Sequence, residues 1–451
     1  MCIVHNLVLF YFGKDAAMKK ICSYLICTML FLCAILSGCG QKAETEEVSA
    51  EVPFTGTLRL LNMKSEVNDQ INELAKKYQQ ETGITVEVIP LPAGVDAQAT
   101  LKGYYLSDQM PDIIACEASG FGNWEGLLED MSDQDWASRT DAAYVDNTYG
   151  TLGFPYTTEA IGLAYNADIL NKCGVDPASI TGPSSLKAAI EAVDAKKDQL
   201  GLKAVVGYCA EPENLGWSSG NHIFGAYIDS GLSRTDTTYI DLLNDGGKLD
   251  TERFTDFAKM MDLFIQYSDP DLVAEGTYND QVLNFASGKY AFITQGSWIG
   301  ATLTGDDASE YAAAGSFEVG MVPYAFQDGM DTILTSAPSW WAVPKEGNAE
   351  EAKAFLQWCS EDSAQQILVE KAGFISPFKD SKYVASDPFA PVISQYISAG
   401  KTSSWHWMDM PENLGQKGIA FAFHKLATGE VDVDGFVKEV QKITTEWYQK
   451  L

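Results

Sequence analysis

The sequence predicts an α/β protein built as two lobes, and two observations carry the prediction. Segments that read as strands alternate with segments whose apolar residues recur at helical spacing, which is the pattern of sheets covered by helices. The chain has 451 residues, more than one ordinary hydrophobic core organises. From residue 39 onward no internal repeat or low-complexity tract interrupts the alternation.

The elements follow in order. Thr57-Leu-Arg-Leu-Leu-Asn62 reads as the first strand. Ser65 is placed to cap a helix whose apolar positions Val67, Ile71, Leu74 and Tyr78 share one face, with Gly83 as its stop. Ile84-Thr-Val-Glu-Val88 alternates as a strand, and a helix is expected over about Gln98 to Leu106. Pro111-Asp-Ile-Ile-Ala115 is a short apolar run typical of a buried parallel strand. Ile161 to Asn166 and Ala204 to Cys209 are predicted strands, with a capped helix at Ser184 to Ala195 between them. Helices follow at Thr251 to Tyr267 and Asn279 to Ser287, then strands at Tyr290 to Thr294 and Trp341 to Val343. Ala349 to Cys359 places Ala352, Phe355, Leu356 and Cys359 on one face. The last helix, Gly435 to Tyr448, aligns Phe436, Val440, Ile443 and Trp447 behind a capping Asp434. Such stripes are core faces rather than cofactor sites.

The N-terminus carries its own signal. Lys19-Lys20 precede an apolar run from Ile21 to Ile35 that ends in Leu36-Ser37-Gly38-Cys39. That is the layout of a secretory signal over residues 1–38, and the run is short for a span that needs ~20 apolar residues. Met18 is the more natural start, so residues 1–17 stay out of the fold argument. Leu-Ser-Gly ahead of Cys39 resembles the lipobox of bacterial lipoproteins, which implies cleavage before Cys39 and acylation of its sulfur. Residues 39–53 hold Glu, Lys, Ala and Ser without an apolar period and read as a flexible tether.

Charge and cysteine usage narrow the classes further. Removing the first 38 residues takes away three lysines and one aspartate and moves the formal net charge from −31 to −33. So acidic a surface excludes nucleic acid, which needs a basic footprint. It also leaves the lipid as the membrane tether, because a polybasic hold on anionic lipid is missing. Five of the nine cysteines lie at or before Cys39; Cys116, Cys173, Cys209 and Cys359 are far apart and form no disulfide or zinc spacing. An exported chain of this kind fits a Gram-positive or anaerobic surface protein, held at the outer face of the membrane.

Four segments together resemble the extracellular solute-binding proteins of sugar-type ABC importers, the family that includes maltodextrin-binding proteins. They are Leu58 to Val88, closing on Glu81-Thr-Gly-Ile-Thr-Val-Glu-Val88; Gly153-Phe-Pro-Tyr156 with Glu159-Ala-Ile-Gly-Leu-Ala-Tyr-Asn166; Asn284-Phe-Ala-Ser-Gly-Lys-Tyr-Ala-Phe-Ile-Thr-Gln-Gly-Ser-Trp298; and Leu426-Ala-Thr-Gly-Glu430 before the last helix. The resemblance implies a two-lobe, periplasmic-binding-protein-like fold of type II with a ligand cleft between the lobes. One lobe is expected over 54–158 plus 323–371 and the other over 159–322 plus 372–451. The chain should cross near Thr158, return near Val322-Pro323 and cross again near Ala372-Gly373. It also implies a monomeric receptor, with no cofactor, that captures a carbohydrate by lobe closure and delivers it to membrane permease subunits.

A sugar offers flat C–H faces and a rim of hydroxyls, so it calls for aromatic platforms beside charged and amide groups. Ten Trp and 20 Tyr supply the platforms. Trp298, on the loop after a strand, is where the family often places a stacking ring; Trp217 follows the strand ending at Cys209 in the same way. Glu211 matches a sugar-contacting carboxylate of maltodextrin-binding relatives, with Glu213 as the alternative if the register shifts. Glu159 and Tyr156 lie on the first crossover, Lys64 and Glu117 follow first-lobe strands, and Trp340, Trp405 and Trp407 complete the expected ligand-binding set. Cys116-Glu-Ala-Ser119 stands where relatives carry an aromatic-plus-carboxylate pair, which disfavours maltose itself.

Competing patterns are weaker. Gly216-Trp-Ser-Ser-Gly220 fits the G-x-S-x-G of a nucleophile elbow, but that motif needs a strand running straight into the turn. Glu430-Val-Asp-Val-Asp-Gly435 imitates a calcium loop whose twelfth position would be Gln441 rather than Glu. His222, His406 and His424 show no metal-ligand spacing. The expectation is therefore a binding protein and not an enzyme. The same fold with a polyamine, peptide or metal chelate as ligand is the first alternative, and a surface glycoside hydrolase the second.

Overall fold

The strand Thr57–Asn62 opens the described part of the chain and pairs in parallel with Thr85–Pro90, Thr57 opposite Thr85. In the computed structural model, residues 56–451 apart from 93 and 141 are described. The signal segment, the Met18 start, Cys39 and the tether lie outside the described residues.

Between these two strands runs the helix Asn68–Thr82, which buries Ile71, Leu74, Ala75 and Tyr78 and ends at Gly83 with φ of 81°. A positive φ is costly for residues with a Cβ, which is why glycine ends the helix there. Ser65 does not cap this helix: it begins a separate 3-10 turn, Ser65–Val67, and neither turn nor helix has a side-chain cap. The run at Pro111 to Ala115 is also corrected. Only Ile113 bridges Leu60 in parallel; Ile114–Cys116 pairs antiparallel with Trp340–Ala342. Trp340–Ala342 in turn pairs antiparallel with Gly150–Pro155, and Tyr144–Asp146 closes that sheet. Behind it lies a core of Leu58, Leu60, Leu74, Trp136, Phe154, Trp341 and Phe355. The helix Ala349–Cys359 adds Ala352, Phe355, Leu356 and Cys359, the stripe read from sequence.

The second lobe holds a four-stranded sheet in the order Val319–Val322, Leu163–Asn166, Phe292–Ile293, Val206–Gly207. A smaller sheet joins Thr402–Ser403, Ile333–Ser336 and Glu159–Ile161. The strand expected over 161–166 is thus divided at Gly162, where a Cβ would meet the Val322 carbonyl at 2.8 Å. The helices Thr251–Gln266, Tyr278–Ala286 and Val433–Tyr448 cover this lobe. Asp432, not Asp434, caps the last of them, accepting from the Gly435 N–H at 2.8 Å. Asp434 already lies in the helix's first turn, where its charge favours the dipole instead. No helix among the described residues is long and apolar enough to cross a membrane.

Strand pairing and ring contacts show how the chain runs between the sheets. Gly150–Pro155 belongs to the first lobe and Glu159–Ile161 to the second, so the first passage is at 156–158. After Val322-Pro323, Tyr324 and Phe326 pack on Phe264 and Phe257, Ile333–Ser336 pairs with the first-passage strand Glu159–Ile161, and Trp340–Ala342 joins the first-lobe sheet. Phe374 and Phe378 still pack on Tyr156 and Phe154 of the first lobe, and Phe389 joins the second. Ile375 meanwhile bridges Thr158 of the first passage and packs on the same core as Phe389.

Gly216-Trp-Ser-Ser-Gly220 lies where the helix Pro212–Gly216 runs into a π turn, Trp217–Ile223, so it forms no strand–turn–helix elbow. Its glycines let two chain segments touch: a Cβ on Gly220 would meet the Gly415 carbonyl oxygen at 2.0 Å. Gly220→Ala is expected to cost about 1–3 kcal/mol by overpacking, whereas Gly122→Ala, with nothing within 4 Å, should be near neutral. Urea unfolding of the two variants checks this; equal midpoints would refute the close contact.

Candidate functional site

The π turn Trp217–Ile223 continues as the helix Phe224–Asp229, and a π turn widens the helix enough to swing side chains off the regular face. Here it brings Trp217 and His222 into one aromatic cluster. His222 is surrounded by four indoles, with ring centroids 4.7 Å from Trp298, 5.1 Å from Trp407, 5.3 Å from Trp217 and 5.6 Å from Trp405. Trp217 meets Trp298 at 6.0 Å and Tyr278 at 5.9 Å. Burial, with the Lys64 charge beside it, pushes His222 down to about 3, so its ring is neutral near neutral pH. The His222 Nδ1 and the Nε1 atoms of Trp405 and Trp407 are buried with no hydrogen-bond partner. Each such group costs about 1–3 kcal/mol, so the wall holds unused polar capacity beside its ring faces.

Across from the wall stands a charged floor. Lys64, after the first strand, pairs with Glu159 at the head of the second-lobe strand and lies 3.7 Å from Glu66. Burial opposes the Lys64 charge, but Glu159, Glu66 and Tyr156 together raise its pKa, so it stays ammonium. Burial pushes Glu159 up, and Lys64 partly offsets this. Glu117 rises to about 7 by burial, against the pull of Lys64 and with a further push from Asp96. Gln98 runs a short network here, accepting from the Trp124 Nε1 at 2.8 Å and donating to the Cys116 Sγ at 3.8 Å.

A cavity of about 100 Å³ lies between the lobes, bounded by Gln98, Glu117 and Ser119 on one side and Asn221, Trp407 and Gln416 on the other. Ligand sites usually measure some hundreds of Å³, so a solute larger than a few waters enters only when the lobes part. Polar contacts span the closed mouth. Lys417 Nζ lies 2.7 Å from Asp96, Lys102 lies 3.7 Å from Glu412, and Asn123 donates to Glu412 at 3.2 Å.

The structure brings together Trp217, Trp298, Trp405, Trp407, Lys64, Glu159 and Glu117. Trp217 and Trp298 spend their N–H groups locally, on the Asn214 carbonyl and the Gln295 side chain, which leaves their ring faces as the available surface. Three expected residues are placed otherwise. The Glu211 carboxylate accepts from the N–H groups of Glu213, Asn214 and Leu215, so it is consumed as a helix cap. Tyr156 is 1% exposed, bonded to Ser339 and stacked on Trp341 at 4.7 Å, a core residue. Trp340 donates to the Ala142 carbonyl at 2.7 Å and packs by its edge on Phe121 and Tyr144. His222, Gln98 and Asn221 were missed; the one available signal was His222 five residues after Trp217, which a regular helix would have carried to a different face.

The chain matches, over residues 73–391, the model of a family described as bacterial extracellular solute-binding protein. No curated protein matches it. Among solved structures it is similar to RafE in complex with raffinose, at 19% identity and a TM-score of 0.69, covering 87% of this chain and 99% of that one. It is similar to the GacH receptor of Streptomyces glaucescens, solved unliganded and with acarbose, at 19% identity and a TM-score of 0.65 over 88% and 98%. A chitin oligosaccharide binding protein aligns at 16% identity and a TM-score of 0.68 over 87% and 99%. At these identities the likeness speaks for the two-lobe fold.

The floor makes a stability prediction. Lys64→Met leaves Glu159 buried without its counter-charge, and removing one partner of a buried pair costs about 3–5 kcal/mol. The double variant Lys64→Met/Glu159→Gln should recover a large part of that loss in urea unfolding. A single variant as stable as the parent would show the pair to be dispensable.

Proposed function

Because the chain belongs to the bacterial extracellular solute-binding proteins, we propose that it captures a carbohydrate between its lobes and delivers it to an ABC permease. The observation that carries the sugar reading is the four-indole wall around His222 facing the Lys64, Glu117 and Gln98 floor. Ring faces take up the C–H faces of a pyranose, and charged and amide groups take up its hydroxyls. The structurally similar RafE in complex with raffinose, GacH in complex with acarbose and a chitin oligosaccharide binding protein support the same ligand class.

In this reading Trp298 and Trp217 stack on the sugar, Trp407 and Trp405 close one side, and neutral His222 offers Nδ1 to a hydroxyl. Glu159 acts indirectly, by fixing Lys64. Lobe closure traps the solute, and the ligand stabilises the closed form by binding it better than the open one. No covalent bond is made or broken. Cys39 carries the lipid that holds a monomeric receptor at the outer face of the membrane, with residues 39–53 as its reach. Held there, it stays at high effective concentration beside its permease.

A thermal-shift screen of mono- and oligosaccharides tests the proposal. A ligand at 100 times its Kd adds about 2.7 kcal/mol of stability, so a saccharide should raise the melting temperature clearly. Trp298→Ala and Trp217→Ala should each weaken binding about tenfold or more. A response to a polyamine or peptide alone, or turnover of any oligosaccharide, would overturn the carbohydrate-receptor reading.

A further inference from the structure

One face of the helix around Phe224–Asp229 organises part of the aromatic wall from behind. His222, Gly225 and Asp229 follow at three- and four-residue spacing, which brings them to the same side. His222 lies among the indoles. Gly225 provides the seat for Trp407, since a Cβ there would meet the Trp407 Cδ1 at 2.6 Å. Asp229 grips the residue between the two tryptophans. Its Oδ1 is 2.5 Å from the His406 Nδ1, and its Oδ2 accepts from the His406 backbone N–H at 2.9 Å. The Asp229 side chain is 1% exposed and that of His406 13%. A two-point hold on a half-buried residue fixes both the backbone and the ring at the start of the turn His406–Asp409.

We propose that Asp229 and His406 are positioning residues for ligand binding, setting Trp405 and Trp407 against His222 through this two-point hold. The inference rests on the aromatic wall being the ligand site.

Protonation gives the hold a pH dependence. The Asp229 carboxylate bonded to His406 raises the His406 pKa above its ordinary value, against the opposing effect of burial. Burial pushes Asp229 itself up to about 6, although His406 pulls it down. Asp409, on the same turn, also favours the imidazolium, while Arg234 from the segment after the helix opposes it. Arg253 of the helix Thr251–Gln266 favours the Asp229 charge only through a minor interaction, since its guanidinium is committed to the Tyr227 and Ser230 carbonyls. Both partners are charged between about pH 6 and the raised His406 value. Above that value the ring gives up its Nε2 proton, and the Nδ1–H that remains still bonds Asp229 but without the charge that strengthened the hold. A raised histidine pKa means the contribution is present at lower pH and lost as pH rises through it.

Two measurements test this on the full chain. In protein labelled with 5-fluorotryptophan, the Trp405 and Trp407 signals, assigned with Trp405→Phe and Trp407→Phe, should titrate together above the ordinary histidine pKa. Asp229→Asn, which keeps the shape but not the charge, and His406→Gln should each abolish or displace that titration. With the best saccharide from the screen, wild-type affinity should fall about tenfold as pH rises through the same midpoint. Asp229→Asn should bind about tenfold more weakly at pH 7 and lose that dependence. Signals that ignore pH in the wild type, or variants with wild-type affinity and profile, would overturn the inference. If no saccharide binds wild-type protein at any pH, the carbohydrate reading fails, and the fluorine titration alone decides whether the hold sets the two indoles.

Discussion

The buried ion pair between Lys64 and Glu159 is the constraint on which the rest of the cleft depends. Lys64 ends the first strand connection of one lobe, and Glu159 begins the first strand of the other, on either side of the passage at 156–158. A pair of this kind yields little net stability over an apolar replacement, because desolvation cancels much of the attraction. Its consequence here is geometric and electrostatic. It fixes a cation at the root of the cleft, and that cation helps to keep His222 neutral and draws the Glu117 pKa downward.

On this root the two lobes contribute different chemistry. The first lobe brings polar groups at the ends of strands and on the turn after Cys116. The second brings rings, mounted on a π turn, on the loop before the helix Ile299–Thr304, and on the turn His406–Asp409. Neither half encloses a solute alone. Closure brings rings and polar groups together, and the contacts of Asp96 with Lys417 and of Glu412 with Lys102 and Asn123 lie where that closure completes. These edge contacts are partly exposed and so tune the equilibrium rather than dominate it.

Much of the fold was legible because apolar period and glycine stops are local signals. Thr57–Asn62 and Ala349–Cys359 appear with the bounds read from sequence. The passages between lobes carry no such local signal. Tyr324, Phe326, Phe374 and Phe378 are aromatic residues whose lobe is decided by long-range packing, and no local pattern states which core receives them. The same limit explains the site. Trp217 and Trp298 could be read from aromatic residues after strands, but Glu211 was claimed by backbone N–H groups next door and Trp340 by a neighbouring carbonyl. His222 shows only its lack of metal-ligand spacing in the sequence, because it reaches the wall through the π turn, an irregularity without a sequence signature.

Small-angle X-ray scattering on the purified chain, with and without saccharides such as raffinose and chitin oligosaccharides, tests the central claim most directly. A receptor that holds sugar between closing lobes should show a smaller radius of gyration with a bound saccharide, and Trp298→Ala should weaken that response. Compaction by a polyamine or peptide with none by any saccharide would contradict a carbohydrate site between the lobes.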